Sequence, residues 1–243
     1  MVIEIKNLCK KYKDLVAVDN LNLEIKEGEL FSLLGVNGAG KTTTIKMLST
    51  LTKPTSGDAF IYGKSIKNEK NSIKDFIDVS MQETSIARKL TVDENITFYA
   101  KINGKTNEEI KLIKDKIYKN FNLTNLKDRL ASKLSGGNQR KLSIALALIS
   151  DPKILFLDEP TLGLDVIARR ELWNIVLSLK GEKTIILTTH YMEEAEALSD
   201  RIGMMKDGKL LFVGTKDELF QSTNTKNIED AFVKVVSGGD RFE

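Results

Sequence analysis

A glycine-rich loop that joins an apolar run to a helical pattern constrains this 243-residue chain more than any other feature. Residues 35–42 read G-V-N-G-A-G-K-T, which matches the phosphate-binding pattern G-x-x-x-x-G-K-[ST]. The apolar run before it, residues 29–34, has the length of a strand, and Ile45, Leu48 and Leu51 follow it at helical spacing. The sequence therefore predicts a strand, a loop and a helix in that order. A glycine-rich turn that matched the pattern by chance would not require a strand before it and a helix after it.

The residue types in this loop suit the phosphates of a nucleotide. Gly35, Gly38 and Gly40 can adopt a positive φ, so they allow successive backbone N–H groups to reach phosphate oxygens. Lys41 supplies a positive charge for the β- and γ-phosphates, and the hydroxyl group of Thr42 can bind Mg²⁺. The positive end of the dipole of the following helix points toward the same phosphates. We therefore expect ATP and Mg²⁺ as cofactors.

Two adjacent carboxylates follow a second apolar run, residues 154–157. This run predicts a buried strand of a parallel sheet, whose carboxyl end faces the ligand crevice. Asp158 there can hold Mg²⁺, and Glu159 can accept a proton from an attacking water; the alternative is a solvated turn. The only histidine, His190, follows the apolar run 184–187, so it would lie at a third strand end, within reach of a γ-phosphate.

Residues 134–138, L-S-G-G-N, form a second glycine-rich loop at the start of a helical pattern. One nucleotide needs only one cradle for its phosphates, so the second loop raises the question of which nucleotide it faces. We infer that it faces the nucleotide of a second copy of the chain. The alternative is that the loop only starts a helix, because Ser135 is also a good N-cap residue.

These motifs, in this order, resemble those of the ATP-binding subunits of ABC transporters, and the resemblance covers nearly the whole chain. It implies that residues 134–137 are the family's signature loop, in which Ser135 and Gly137 contact the γ-phosphate held by the partner subunit. It also implies that Gln82 lies in the family's Q-loop. Residues 161–165 then correspond to the D-loop, which crosses the dimer interface.

The resemblance implies further roles and shows two departures. His190 corresponds to the switch histidine, and Tyr12 to an aromatic residue that stacks on adenine; the alternative for Tyr12 is a surface aromatic residue at a strand end. Asn138 stands where the signature most often has Gln, and Met81 stands where Pro is frequent before the Q-loop glutamine. The expected catalytic residues are Glu159, His190 and Gln82; the expected nucleotide-binding residues are Tyr12, Gly35, Asn37, Gly38, Gly40, Lys41, Thr42, Thr43, Ser135 and Gly137; the expected Mg²⁺ ligands are Thr42, Gln82 and Asp158.

Four segments resemble one branch of the family, the drug- and antibiotic-exporter ATPases: residues 140–149, 161–170, 189–196 and 228–232. Members of that branch export drugs, lipids, polysaccharides or sodium. The resemblance therefore implies an ATPase that powers a membrane exporter, with an integral-membrane permease and a second copy, or a homologous ATPase subunit, as partners. Two alternatives are the ATPase subunit of an importer and a soluble ABC-type ATPase that acts in translation or DNA repair.

The fold class expected is α/β, with the parallel-sheet core of a RecA-like P-loop NTPase, an N-terminal antiparallel β subdomain and an inserted helical subdomain. β-forming segments at 2–8, 21–25 and 59–62 predict the antiparallel sheet, and later strands and helices alternate as in a parallel sheet with helices on both faces. We expect a single domain over 1–243. Its expected parts are 1–87 and 150–225 for the nucleotide-binding core with the β subdomain, 88–149 for the helical subdomain with the signature loop, and 226–243 for a short C-terminal helix.

The composition limits the classes of partner and the cellular location that we expect for this chain. A balance of 37 Lys and Arg against 34 Asp and Glu gives a net charge of +3, too even to suggest nucleic acid. The single cysteine, Cys9, cannot form an internal disulfide, which is consistent with a reducing compartment. No apolar stretch approaches the roughly 20 residues of a spanning helix, and the start of the chain lacks the apolar core of a signal peptide. We expect a cytoplasmic protein, peripheral on the inner face of the cell membrane, with the pore in another chain.

Overall fold

The computed structural model describes residues 1–238 and divides their strands between two sheets. The described strands are β1 (Ile3–Tyr12), β2 (Leu15–Ile25), β3 (Leu30–Gly35), β4 (Ser56–Ile61), β5 (Lys64–Ser65), β6 (Ile77–Ser80), β7 (Ile154–Asp158), β8 (Thr184–Thr189), β9 (Arg201–Lys206) and β10 (Lys209–Gly214). The described α-helices are α1 (Lys41–Leu48), α2 (Lys70–Ile73), α3 (Val92–Ile102), α4 (Asn107–Asn120), α5 (Gly136–Ala147), α6 (Val166–Leu179), α7 (Met192–Leu198), α8 (Lys216–Thr223) and α9 (Ile228–Val236).

The six-stranded sheet has the strand order β10-β9-β3-β8-β7-β6, and all its strands are parallel except β10. Strands β3, β7 and β8 are buried along their whole length, as expected for strands covered on both faces. The register pairs Leu34 with Thr189 and Asp158 with Thr188. Because parallel strands end at the same edge of a sheet, the loops after β3, β7 and β8 lie side by side.

The four-stranded sheet has the order β2-β1-β4-β5 and is antiparallel throughout. Alternate residues of β1, including Ile3 and Ile5, are buried against the core, so the period-two pattern of the sequence is the cause of this sheet. The two sheets confirm the predicted fold class, a parallel α/β core with an N-terminal antiparallel part. Strands β9 and β10 form an antiparallel hairpin whose turn is Asp207-Gly208.

Helices α3, α4 and α5 lie between β6 and β7 in the chain and share one apolar core with the sheet. Ile96, Ile117 and Leu142 on these helices belong to the same buried cluster as Leu157 on β7 and Leu172 on α6. Each such side chain contributes about 1.5–3 kcal/mol when fully buried. Helix α5 is therefore anchored on the sheet, and its N-terminal loop is held in a fixed place.

Some observed elements go beyond those predicted. Helix α5 begins at Gly136, directly after Ser135, which caps it. Strand β6 and helices α2 and α8 were not predicted. Helix α9 lies within the predicted C-terminal segment 226–243, of which residues 239–243 lie outside the described residues. No helix in residues 1–238 combines the length and the apolar character that crossing a membrane requires.

Candidate active site

The glycine-rich loop runs from the end of β3 to the start of α1, as predicted. Gly40 has φ 103° and precedes the first residue of α1, Lys41. A Cβ atom on Gly35 would lie 2.5 Å from the backbone oxygen of Met205, and one on Gly40 would collide with the backbone oxygen of Ala17. Glycine is required at both positions because the loop is braced from β9 and from β2.

Lys41 lies inside this loop, with 5% of its side chain exposed. Its ammonium group donates to the backbone oxygens of Gly35 at 2.7 Å and Val36 at 3.2 Å. The same Nζ lies 3.2 Å from Oε1 of Glu159. A buried charge needs such partners, since an uncompensated one costs several kcal/mol. Lys41 therefore bridges the loop and the acidic end of β7.

The carboxylate of Asp158 is fully buried at the end of β7. Its Oδ1 accepts from the hydroxyl of Thr42 at 2.9 Å and from that of Thr188 at 2.6 Å. Its Oδ2 is buried and has no hydrogen-bond partner. An orphaned carboxylate oxygen beside a threonine hydroxyl is a donor set that suits Mg²⁺, which prefers oxygen ligands. The residues present therefore fit the predicted metal ion.

Glu159 connects Lys41 to His190. Its Oε2 lies 2.7 Å from Nδ1 of His190, while Oε1 faces Lys41. Its φ is 48°, a left-handed conformation that costs a non-glycine residue about 1–3 kcal/mol. The backbone N–H of Glu159 donates to both the carbonyl and the hydroxyl of Thr188, each at 3.1 Å, and these bonds hold it in that conformation. The strained backbone aims the carboxylate at the loop.

Thr188 is a site residue that the sequence analysis missed. Its hydroxyl accepts from the N–H of Glu159 and donates to Asp158, so it fixes both carboxylates. The signal that could have found it is the register of β7 and β8, which pairs Asp158 with Thr188. That register is not visible in the sequence.

Behind His190, a stack of side chains leads to α6. The rings of His190 and Tyr191 are 4.1 Å apart, and the guanidinium carbon of Arg169 lies 4.4 Å from the centre of the Tyr191 ring. Near this stack Glu194 is fully buried, with Oε1 accepting from Nε1 of Trp173 at 3.0 Å and Oε2 without a hydrogen-bond partner. Burial raises the pKa of the Glu194 carboxyl. The sequence analysis selected His190 but did not select Arg169, Trp173, Tyr191 or Glu194 as site residues.

The other predicted residues occupy the rim. Asn37 and Gly38 are exposed at the tip of the loop, and Thr43 is half-buried in the first turn of α1. Tyr12 ends β1 and is 43% exposed, with Nζ of Lys10 lying 4.8 Å from its ring centre. Its ring is therefore open to a stacking partner.

The structure does not bring the side chain of Gln82 into the network of Thr42 and Asp158. Gln82 is exposed, and no hydrogen bond of its side chain occurs within residues 1–238. Its backbone oxygen accepts from Nη2 of Arg140 at 2.5 Å, and that of Met81 accepts from Nη1 at 2.7 Å. Gln82 is thus positioned through its backbone by a residue that the sequence analysis did not select.

The signature-like loop is also separate from the phosphate loop. In the described part of the chain, no hydrogen bond or ion pair joins residues 134–138 to residues 35–43. Ser135 caps α5, with Oγ accepting from the N–H of Asn138 at 3.4 Å. A Cβ atom on Gly137 would lie 2.9 Å from Cβ of Ala168, so packing against α6 also requires glycine there.

Comparison with known proteins matches residues 18–162 to the family model described as "ABC transporter". The human protein "ATP-binding cassette sub-family A member 2" is 41% identical over 217 residues, which cover 88% of this chain and 9% of that protein. The "Probable multidrug ABC transporter ATP-binding protein YbhF" of Escherichia coli (strain K12) is 39% identical over 251 residues, covering 99% of this chain and 42% of that protein. The chain thus spans less than half the length of either relative.

Among solved structures, the chain is similar to one described as the dimeric, post-hydrolysis state of the ATP-binding cassette MJ0796 bound to ADP and Pi. The TM-score is 0.80 and the sequence identity is 29%, with coverage of 88% of this chain and 98% of that chain. The predicted family resemblance is therefore confirmed.

Proposed function

The chain belongs to the ABC transporter family and is an ATPase domain of that family, and on this premise we propose that it powers export through a separate membrane protein. The single observation that carries the catalytic part is the continuous set of contacts from Lys41 through Glu159 to His190 at the phosphate loop. Bound nucleotide phosphates there would face a cation, a proton acceptor and a histidine at once.

Each residue has a distinct role in this proposal. Lys41 and the N–H groups of the loop bind the phosphates, and Glu159 accepts the proton of the attacking water. His190 orients the carboxylate of Glu159 and contacts the γ-phosphate. Thr42 and Asp158 would hold Mg²⁺, which would offset the negative charge of the phosphates.

Gln82, whose exposed side chain lies outside the network of Thr42 and Asp158, would complete the ligands of Mg²⁺ once nucleotide is bound and would report the state of the nucleotide to the membrane partner. Around it, the division expected from the sequence places a helical subdomain at 88–149 and a nucleotide core at 1–87 and 150–225. The position of α3 to α5 between β6 and β7 supports that division.

We further propose that two copies share each nucleotide. Within residues 1–238 of one chain no hydrogen bond or ion pair joins the signature loop to the phosphate loop, so Ser135 and Gly137 are available to a second chain. Val166 and Ile167, directly after the predicted D-loop, are 66% and 73% exposed, as expected for side chains at an interface. The dimeric state of the similar cassette structure supports the same arrangement.

The transported substrate class rests on the relatives. One of the two named relatives is described as a probable multidrug ABC transporter ATP-binding protein, which favours export of drugs over import. We place the chain on the inner face of the cell membrane, where ATP is found, in contact with an integral-membrane permease. An importer subunit remains the second candidate, and the membrane protein that co-purifies with the chain decides between the two.

The test of the shared site uses Glu159→Gln, which keeps the shape of the side chain and removes the proton acceptor. This variant should form dimers with ATP and stay monomeric without it in size-exclusion chromatography with light scattering. Adding Ser135→Arg should abolish the dimer through steric conflict and desolvation, while ATP binding by the monomer persists. Dimerisation of the double variant with ATP would contradict the shared site.

A further inference from the structure

The guanidinium group of Arg140 is buried against the segment that carries Gln82. Arg140 lies on the first turns of α5 with 5% of its surface exposed. It donates to two consecutive carbonyl oxygens, those of Met81 and Gln82. Each bond involves a charged donor, and such bonds are roughly twice as strong as neutral ones.

A second contact one turn along the same helix joins the same two segments. Ser143 follows Arg140 by three residues and therefore lies on the same face of α5. Its hydroxyl is 3.0 Å from that of Ser80, the last residue of β6, and both are buried. The face of α5 defined by Arg140 and Ser143 is thus fixed to residues 80–82 at three consecutive positions.

Burying the charge of Arg140 between α5 and β6 costs free energy. Within residues 1–238 Arg140 forms no ion pair, so its charge is compensated only by carbonyl dipoles and by the more distant carboxylate of Asp158. Burial lowers the pKa of Arg140, and the charge of Asp158 raises it. A neutral or apolar side chain could pack α5 on β6 without burying a charge.

We propose that Arg140 is a positioning residue that makes the backbone at Gln82 move with the signature helix. Ser135 caps the helix that carries Arg140 five residues later, so an anion bound at the signature loop acts on the same rigid element that holds Met81 and Gln82. The inference rests on the proposed role of Gln82 in the nucleotide site. It implies that, when the signature loop binds the nucleotide held by the partner subunit, Arg140 transmits the resulting movement of α5 to the Q-loop backbone.

The test compares Arg140→Gln, Arg140→Lys and Lys141→Gln in steady-state ATP hydrolysis. Lys141 is the matched control, because it is equally buried on the same helix but pairs with Glu171 on α6. Arg140→Gln should lower kcat by about tenfold or more while KM for ATP changes by less than about threefold. Arg140→Lys, which keeps the charge, should recover part of kcat, and Lys141→Gln should stay near wild type. If Lys141→Gln and Arg140→Gln lower kcat equally, the helix matters only as packing and the inference is wrong.

A double-mutant cycle with Gln82→Ala separates this inference from the proposed function. If Arg140 acts through Gln82, adding Arg140→Gln to Gln82→Ala should lower kcat no further. If the two substitutions lower kcat by factors that multiply in the double variant, the inference is wrong, while the proposed role of Gln82 stands. An unchanged kcat in Gln82→Ala alone would contradict the proposed role of Gln82, and the inference with it. Melting temperatures of all variants identify any loss of kcat caused by unfolding, and Arg140→Lys carries the test if Arg140→Gln does not fold.

Discussion

Replacing Glu159 with Gln should make a single chain bind ATP more tightly, in addition to slowing hydrolysis. In the structure, Nζ of Lys41 is held by Oε1 of Glu159 at 3.2 Å, with both side chains almost fully buried. Phosphates that recruit Lys41 have to draw it away from this carboxylate. The carboxylate also repels the γ-phosphate, so the ion pair and the repulsion both oppose binding.

The size of the effect follows from the type of hydrogen bond that is lost. One charge raises the contribution of a hydrogen bond from about 0.5–1.5 kcal/mol to about 1.5–3 kcal/mol, and we take a similar increment for the second charge that Glu159 adds to its bond with the Lys41 ammonium. Gln keeps an acceptor oxygen, and Lys41 keeps the carbonyls of Gly35 and Val36, so the difference is about 1–1.5 kcal/mol. At 1.4 kcal/mol per factor of ten, the Kd for ATP should fall about five- to tenfold. Turnover should drop by about 10² to 10⁴, the usual contribution of a positioned base.

The assay is isothermal titration calorimetry with ATP in a Ser135→Arg background, where dimer formation does not add to the measured affinity. Glu171→Gln is the matched control, because Glu171 pairs with another buried lysine, Lys141, at 2.5 Å and its replacement removes the same charge. This control should leave the Kd within about twofold of the parent protein. An unchanged Kd in Glu159→Gln, or an equal fall in the control, would refute the competition between Glu159 and phosphate for Lys41.

Three further predictions address the stacking of Tyr12 on adenine, the binding of Mg²⁺ by Asp158 and the pH dependence of stability at Glu194. Tyr12→Ala should weaken ATP binding by about 1–3 kcal/mol, the value of aromatic stacking on a base, in the same calorimetric assay; an unchanged affinity favours the alternative of a surface aromatic residue. Asp158→Asn should raise the Mg²⁺ concentration for half-maximal hydrolysis at least about tenfold, because an amide NH₂ that cannot bind a cation replaces the orphaned Oδ2 and the negative charge is lost. Unchanged Mg²⁺ dependence would exclude Asp158 as a ligand. Burial raises the pKa of Glu194, so its stabilising contribution is complete below its unfolded pKa near 4.5 and is lost as pH rises through the folded value. Glu194→Gln should therefore gain melting temperature relative to wild type as pH rises above about 4.5, and a pH-independent difference in thermal scans would contradict this.

The local features of the site could be predicted from the sequence because each is encoded in a short segment. The phosphate loop needs only a strand, three glycines and Lys41-Thr42, and the carboxylates Asp158 and Glu159 follow one apolar run. The antiparallel sheet was predicted from alternation within β1, β2 and β4. In these cases the physical cause of the structure lies within about ten residues.

The contacts that fix the functional groups could not be predicted, because they join segments far apart in the sequence. Thr188 reaches Asp158 only through the pairing of β7 with β8, and Arg140 reaches Gln82 only after α5 packs on β6. Strand β6 itself was missed because it has four residues and includes a polar Asp78. Tertiary packing and not local propensity determines such an element.

The turn between β9 and β10 braces the phosphate loop, and it is synthesised long after the loop itself. The N–H of Gly208 donates to the carbonyl of Ala39 at 3.1 Å, and the carbonyl of Gly208 accepts from the N–H of Asp19 at 2.9 Å. A growing chain contains the entire motif long before it contains this turn. At roughly 5–20 residues per second, the delay is on the order of 10–30 s. During that interval the loop lacks both hydrogen bonds, so ATP can stabilise the braced form of the loop only after the β9–β10 turn has been made.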